Sequence, residues 1–330
     1  MNAILSFGEI LIRQQSLGDS FFESPKNQLE IFPGGSEANV AASLGQMGNT
    51  TYYCSAFPKN ALSEEILAIL NKLDVDTSKV IQTGDRIGSY LLLSANGLTK
   101  GEVIYDRKYS SFSLLTAEDI DMNKLFEGVT WLHWTALTPA LNQNIADIMA
   151  SILKEASNRN IYISVDLNYR SKLWQYGKKP IEIMPELINY CDVIMGNIWA
   201  ANVMLGISVD PDFDRNTSQE VYIEASKKSA KSIFAAYPKC KHVANTFRFM
   251  DHPTHNLFYA TYHTPEEDVC SQTHETQEVV DRIGSGDAFM AGLIHALVNN
   301  FSPAKIIETA TNAGFQKLFI KGDFGDGQYN

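Results

Sequence analysis

The order of β-rich and helical stretches most restricts what this chain can fold into. Short apolar runs rich in β-branched and aromatic residues, such as 50–57 and 161–168, alternate with runs of helical period, such as 39–48 and 142–160. Strands that alternate with helices form crossover units, which give a mainly parallel sheet with helices on both faces. In such α/β folds, ligands bind at the carboxyl ends of the strands.

Two stretches interrupt this alternation. Residues 12–34 have no helical period, and residues 89–107 look like a β-hairpin that turns at Asn96-Gly97. We expect 12–34 and 87–110 to form a small β-sheet, a lid over the ligand edge, with 1–11, 35–86 and 111–330 forming the core. A simple surface excursion is the alternative. Within the core, Ser63 is the predicted N-cap of a helix over 63–74.

The charge balance excludes some classes of partner. The chain has 27 Lys and Arg residues against 38 Asp and Glu, a net charge of −11. This argues against nucleic-acid binding through a broad basic surface but leaves room for a small anionic ligand. There is no run of 18 apolar residues and no signal-peptide pattern, so we expect no membrane segment. The four cysteines are widely spaced without a C-x-x-C pair, which indicates reduced thiols and a cytoplasmic location.

The turn over residues 284–287 has the strongest chemical signal. Gly284, Ser285 and Gly286 precede a run with the spacing of one buried helix face. Glycines let successive backbone N–H groups converge, and the helix adds its positive end, so the turn suits an anion. Asp287 is then either a catalytic carboxylate or a simple helix cap. The stretch is neither a dinucleotide fingerprint nor a Walker A loop.

Polar residues at three other positions suit a ligand site. Asn39 heads a helix of small residues that follows Gly34 and Gly35. Asn168 and Arg170 come just after a strand of buried type, where an arginine suits a carboxylate or phosphate. The glycine motif before Asn39 is a weak signal alone. For Arg170, a surface arginine paired with a carboxylate is the alternative.

The second interruption carries a further pair, Tyr105 and Arg107, two residues apart on one face of a predicted strand. An ordinary edge strand is the alternative there. The seven histidines form no zinc-like pattern, and His252 and His255 are expected in a loop.

Taken together, these motifs resemble a known family. Residues 33–48 and 281–293 are similar to the two signatures of the ribokinase-like (PfkB) sugar kinases, and the resemblance extends over nearly the whole chain. Residues 105–113 and 166–174 look like the 2-keto-3-deoxygluconate kinases within it. The resemblance implies a three-layer α/β/α core with a β lid, and ATP-dependent phosphorylation of a hydroxyl on a sugar acid. It implies ATP and Mg²⁺ as cofactors, leaves a monovalent cation open, and favours a homodimer or higher homo-oligomer.

The same resemblance implies roles for individual residues. Asp287 matches the catalytic base, and the backbone of Gly284, Ser285 and Gly286 matches the anion hole for the transferring phosphoryl group. Asn168 and Arg170 would lie near that phosphate. The implied substrate-binding residues are Gly34, Gly35, Asn39, Tyr90, Tyr105, Arg107, Asn168 and Arg170. The implied nucleotide-binding residues are Asn197, Thr246, Gly284, Gly286 and Asn312.

The chain departs from the family pattern at two points. Asn197 is present, but Ala200 stands where the family commonly has a glutamate that organises Mg²⁺ and phosphate. The segment 243–260, where the family often has a Gly-x-x-Gly loop, contains no glycine. Two alternatives therefore stay open: a degenerate kinase fold that binds a sugar acid without efficient catalysis, and a kinase of a neutral sugar such as fructose or ribose.

Overall fold

The computed structural model describes residues 2–17, 21–22, 28–93 and 102–329. The strands in these ranges are β1 (Ala3–Phe7), β2 (Leu11–Ser16), β3 (Leu29–Gly34), β4 (Thr50–Cys54), β5 (Ala56–Phe57), β6 (Val75–Asp76), β7 (Ile81–Gln82), β8 (Gly88–Leu93), β9 (Glu102–Asp106), β10 (Trp131–Thr135), β11 (Tyr162–Asp166), β12 (Val193–Met195), β13 (His242–Phe249), β14 (Asn256–His263), β15 (Asp268–Cys270) and β16 (His274–Thr276). The helices are α1 (Ser36–Gln46), α2 (Ala61–Lys72), α3 (Met122–Phe126), α4 (Gln143–Asn158), α5 (Pro180–Ile188), α6 (Ile198–Leu205), α7 (Gln219–Ala236), α8 (Ser285–Val298) and α9 (Pro303–Gln316), with short 3-10 turns at Ala117–Asp119 and Lys317–Phe319.

The core is one large sheet in the order β15-β14-β13-β12-β11-β10-β1-β4-β6, with β16 also paired to β14. The seven strands β6, β4, β1, β10, β11, β12 and β13 lie side by side in that order and pair in parallel. Strands β14, β15 and β16 are antiparallel additions at the edge next to β13. The mainly parallel sheet predicted from the sequence is confirmed. Every residue of the central strands β1 and β10 is buried, as expected for strands covered on both faces.

Helices cover both faces of this sheet. On one face, α4, α5 and α6 pack on side chains such as Leu5 and Leu132. On the other, α1, α8 and α9 pack on the neighbouring residues Ile4 and Trp131. Side chains of successive strand residues thus point to opposite faces of the sheet and pack against different helix layers. The three-layer α/β/α architecture is confirmed. No helix in the described ranges is long and apolar enough to span a membrane.

A second, small sheet is formed by the order β3-β2-β8-β9. Its strands come from the two stretches that interrupt the α/β alternation. The register sets Phe32, Arg13, Tyr90 and Tyr105 in one row across the sheet, and one residue further along sets Ile31, Gln14, Leu91 and Ile104 in the next. Because successive strand residues alternate faces, the first row faces inward and the second outward. The predicted hairpin turn at Asn96-Gly97 lies outside the described residues.

Two local predictions were wrong. Helix α2 begins at Ala61, and its cap is Asn60, whose side chain accepts a hydrogen bond from the backbone of Ser63 at 2.9 Å. Asparagine is at least as good a cap as serine, so the earlier polar residue starts the helix. The strand predicted over 50–57 is divided at Ser55, because β4 belongs to the large sheet whereas β5 pairs with β7.

Candidate active site

A cavity of about 250 Å³ lies at the carboxyl ends of β11 and β12, between the large sheet and the small sheet. Its size restricts the occupant to a small molecule. Most of the candidate residues from the sequence line it. These are Gly35, Asn39, Tyr90, Tyr105, Arg107, Asn168, Arg170, Asn197, Thr246, Gly284, Gly286 and Asp287.

Asp287 lies in the first turn of α8, buried at the floor of this cavity. It does not cap its own helix. Its carboxylate accepts a hydrogen bond from the hydroxyl of Ser36 at 2.5 Å and from the side-chain amide of Asn39 at 2.7 Å. Both donors belong to α1. The helix-cap alternative is therefore wrong, and the carboxylate is oriented by two donors from a different element.

Burial raises the pKa of Asp287, and the hydrogen bonds from Ser36 and Asn39 act in the opposite direction. Desolvation disfavours the charged carboxylate, whereas donors to it favour that form. The result is a carboxylate that is more basic than an exposed one. Such a group suits proton abstraction from a ligand hydroxyl.

The turn before α8 has the geometry of an anion site. Gly284 adopts a left-handed conformation with φ 82°, and a Cβ there would lie 2.3 Å from the carbonyl oxygen of Asp323. At Gly286, in contrast, no atom lies within 4 Å of the Cβ position, so the first turn of the helix is open to a ligand. Ser285 is turned away from the cavity and donates its hydroxyl to the carbonyl of Gly314 at 2.9 Å. The backbone and the positive end of α8 thus face the cavity.

Three aromatic or cationic side chains form the wall under the small sheet. Tyr90 and Tyr105 are cross-strand neighbours with ring centroids 6.1 Å apart. Arg107 is buried and forms an ion pair with Glu9, with 2.5 Å between Nε and the carboxylate. A guanidinium has five N–H donors in a planar fork, so pairing through Nε is compatible with a second anion at its amino nitrogens.

The opposite wall carries cations at the ends of β11 and β13. Arg170 and Arg248 are exposed side chains that line the cavity. In the described parts of the chain, neither forms an ion pair with a carboxylate. Thr246 and Asn197 are close by, and Asn197 accepts the backbone N–H of Ala200 at 2.8 Å as the cap of α6. This wall is suited to an anion larger than one carboxylate.

Asp166, at the end of β11, is a further carboxylate of the cavity. Burial raises its pKa to about 7, against the opposing hydrogen bond from the backbone of Asn168. The side-chain amide of Asn168 donates to Ser36 at 3.1 Å, which connects this strand end with Asp287. The described residues contain no group of three or more His, Cys, Asp or Glu side chains suited to a metal.

Three candidates from the sequence do not line the cavity. Gly34 packs against Asp323, where a Cβ would lie 2.3 Å from the carboxylate. Ser285 directs its hydroxyl to the carbonyl of Gly314 and is absent from the cavity wall. Asn312 is half-buried on α9 and lies outside the cavity wall.

Several residues of the site were missed at the level of sequence, although signals for three of them existed. Ser36 precedes Asn39 by one helical turn, so both lie on one face of α1. Asp166 and Asn168 flank the same strand end. Arg248 is two residues from Thr246 and therefore shares its face of β13.

The profile of the pfkB family carbohydrate kinases matches residues 1–322. The chain belongs to this family. It is therefore an ATP-dependent sugar kinase.

Individual relatives agree with this assignment. The crystal structure of a 2-dehydro-3-deoxygluconokinase from Thermotoga maritima is 32% identical and has a TM-score of 0.88, over 98% of this chain and 96% of that one. A 2-dehydro-3-deoxygluconokinase from Bacillus subtilis is 25% identical over 291 residues, 88% of this chain and 81% of the relative. A fructokinase from Xylella fastidiosa solved with bound ATP, at 16% identity, shares the fold with a TM-score of 0.78 over 98% of this chain and 94% of that one.

Proposed function

We propose that this kinase phosphorylates 2-keto-3-deoxygluconate (2-dehydro-3-deoxygluconate) to its 6-phosphate. One observation carries the proposal: a buried carboxylate and an open glycine turn lie in one cavity whose walls hold tyrosines and arginines. The two similar 2-dehydro-3-deoxygluconokinases support the choice of substrate. A sugar acid also gives the arginines a function in a chain of net charge −11.

In the proposed reaction, Asp287 takes the proton from the sugar hydroxyl as its oxygen attacks the γ-phosphorus of ATP. The bond between that phosphorus and the bridging oxygen of ADP breaks, and ADP leaves with the electron pair. The backbone N–H groups of Gly284, Ser285 and Gly286 stabilise the charge on the transferring phosphoryl oxygens. Positioning and charge neutralisation are the main needs of phosphoryl transfer, and this cavity supplies groups for both.

For the sugar acid, we propose that Arg107, Tyr90 and Tyr105 bind the carboxylate end. Gly35 lines the cavity at the start of α1, where a Cβ would lie 2.3 Å from the carbonyl oxygen of Glu9, and we assign its backbone to the sugar. We assign Asn39 to the orientation of Asp287 as well as to the sugar, because its amide donates to that carboxylate. Asn168 and Arg170 would lie beside the transferred phosphate.

For ATP, we propose a phosphate wall formed by Arg170, Arg248, Thr246 and Asn197. Two exposed arginines supply positive charge where the family's glutamate and glycine loop are absent. Magnesium usually binds through one or two carboxylates together with substrate phosphates, and the donors near Asp166 fit that pattern. Mg²⁺ held there would neutralise charge on the phosphates. Asn312 remains a proposed adenine contact beyond the cavity.

The test is ATP consumption with Mg²⁺ and a panel of sugars: 2-keto-3-deoxygluconate, 2-keto-3-deoxygalactonate, fructose and ribose. The proposal requires the highest kcat/KM with a 2-keto-3-deoxy sugar acid. Preference for fructose or ribose would support the neutral-sugar alternative. Binding of the acid by calorimetry without turnover on any sugar would support the degenerate fold.

The catalytic base is tested by Asp287→Asn, with Asp147→Asn on the exposed face of α4 as the matched control. We expect kcat to fall about 10²–10⁴-fold, as for loss of a general base, while sugar-acid binding by calorimetry is kept. The control should keep wild-type kcat. Full activity of Asp287→Asn would refute the base assignment.

We also propose that the small sheet acts as a lid and that two copies associate through its outer face. On that face, the side chains of Ile31 and Ile104 are 64% and 44% exposed to solvent. Apolar side chains that are exposed together on one surface are typical of a site of protein association. Sedimentation equilibrium should give a dimer for the wild type and a monomer for Ile31→Asp. A monomeric wild type would refute the association.

A further inference from the structure

Lys317 is a lysine with 0% exposure at the end of α9. Its ammonium donates to the backbone carbonyls of Ile320 at 2.9 Å and Gly322 at 2.8 Å. A lysine is almost never fully buried unless its charge is paired or hydrogen-bonded. The ammonium therefore closes the loop 317–322 through these two carbonyls.

This loop is the support of the glycine turn. The carbonyl of Leu318 accepts the backbone N–H groups of Val280 and Asp281 at 2.8 and 3.1 Å. The carboxylate of Asp281 in turn accepts the N–H groups of Ile283 at 3.0 Å and Gly322 at 3.1 Å. Val280 and Asp281, which lead into the turn, are thus hydrogen-bonded to the loop, and Ile283 is hydrogen-bonded to the carboxylate of Asp281.

The lysine side chain also lies beside the turn. A Cβ on Gly284 would lie 3.2 Å from Cε of Lys317 and 2.3 Å from the carbonyl oxygen of Asp323. The positive charge of Lys317 therefore lies immediately behind the turn, on the side away from the cavity. Positive charge in a site of low dielectric favours an anion bound in front of it.

The surrounding charges are balanced. Arg13 is fully buried and pairs with both Asp281 and Asp323, each at 2.8 Å. Burial lowers the pKa of Lys317, and the carboxylates of Asp281 and Asp323 counteract that effect. Two cations and two carboxylates thus form one closed cluster beneath the turn. Lys317 alone among them is bound by backbone carbonyls in the manner of a coordinated cation.

We propose that Lys317 is a positioning residue for phosphoryl transfer, a built-in cation that holds the turn 284–286 in its anion-binding conformation. Its ammonium does the work that a dissolved monovalent cation coordinated by the same carbonyls would do. The inference rests on the proposed role of the turn as the anion hole. It predicts that the wild-type enzyme needs no added monovalent cation.

The first experiment measures kcat and KM of the wild type with K⁺, NH₄⁺ or Na⁺, against tetramethylammonium at constant ionic strength. We expect kcat to change less than about twofold. Strong activation by K⁺ or NH₄⁺ would overturn the proposal without any variant, because it would show that the site still requires a free cation.

The second experiment uses Lys317→Ala, with Lys321→Ala in the same loop as the matched control, since Lys321 is exposed. We expect kcat of Lys317→Ala to fall about tenfold to a hundredfold, less than the ~10²–10³-fold loss of a direct oxyanion-hole donor. The KM for the sugar should change little. Ammonium or methylammonium should restore part of the lost kcat, and tetramethylammonium should not.

A merely structural lysine would lower the free energy of unfolding without this rescue. Wild-type kcat in Lys317→Ala, or a loss that no small cation recovers, therefore refutes the proposal. If Lys317→Ala does not fold, the response of wild-type kcat to K⁺, NH₄⁺ and Na⁺ still tests the proposal. The assignment of Asp287 as the base is tested independently, because it is refuted by full activity of Asp287→Asn regardless of the kcat of Lys317→Ala.

Discussion

Replacing Ser36 by alanine removes one of the two hydrogen bonds that orient the carboxylate of Asp287. The change deletes one oxygen atom from a buried position on α1 and leaves the bond from Asn39 in place. The serine also accepts a hydrogen bond from Asn168 at 3.1 Å, which is lost with it. The main effect falls on the proton affinity of Asp287.

The magnitude follows from the kind of bond that is lost. A hydrogen bond to a charged group contributes about 1.5–3 kcal/mol. Here the hydroxyl stabilises only the ionised carboxylate, so its loss raises the pKa of Asp287. Since 1.36 kcal/mol corresponds to a factor of ten, the proton affinity should rise about tenfold to a hundredfold. The base form is then reached only at higher pH.

The assay is the pH dependence of kcat/KM for the sugar acid, between about pH 5 and pH 9. For Ser36→Ala, we expect the acidic limb of the profile to move to higher pH by about 1–2 pH units, with most of the activity kept on the alkaline plateau. The matched control is Ser43→Ala. Ser43 is a buried serine on the same helix whose hydroxyl lies 3.2 Å from that of Tyr329.

An unchanged acidic limb with a lower plateau would refute this reasoning, because the hydroxyl would then affect geometry but not the charge of the base. The same shift in Ser43→Ala would refute it in another way. It would show that any buried hydroxyl lost from α1 alters the profile.

Two further predictions concern stability. Arg13→Met should lower the free energy of unfolding by about 3–5 kcal/mol, because it removes the buried partner of the Asp281 carboxylate. The control Arg86→Met, at an exposed ion pair, should lower it by less than ~1 kcal/mol. Equal losses for the two variants in urea unfolding would contradict this prediction. Burial raises the pKa of Glu37 from 4.5 to about 7, so its carboxyl group stays protonated to a higher pH in the folded state than in the unfolded state. For this group alone, the free energy of unfolding should fall by up to about 3 kcal/mol as the pH rises through that interval. Glu37→Gln should therefore make the slope less steep, while the contribution of Asp166, whose pKa burial also raises to about 7, stays. A wild-type slope in the variant would show that another group titrates.

The parts of the fold that depend on local pattern were predictable. Alternation of strands and helices predicted the sheet, and the break in that alternation indicated the strands of the small sheet. The glycines before α8 predicted the turn, because a left-handed residue such as Gly284 excludes most other side chains. These features depend on residues that are close in sequence, so their signals lie in short windows.

The partners of Asp287 were harder to predict for a physical reason. Ser36 is 251 positions away from it and Asn39 is 248, so only the packing of α1 against α8 brings them together. Arg107 showed the same limit. Its type and position suggested a ligand contact, but its ion pair with Glu9, 98 positions away, could not be read from the sequence.

The cluster of Arg13, Asp281, Lys317 and Asp323 joins the small sheet, the glycine turn and the C-terminal loop through charges that balance only as a set. Replacement of any one member leaves an uncompensated charge in a buried site. Such a change costs several kcal/mol, a large part of the stability of a typical domain. During divergence these four positions are therefore constrained to change together or not at all, and a related sequence that has lost the lysine should show a compensating change at one of the two aspartates.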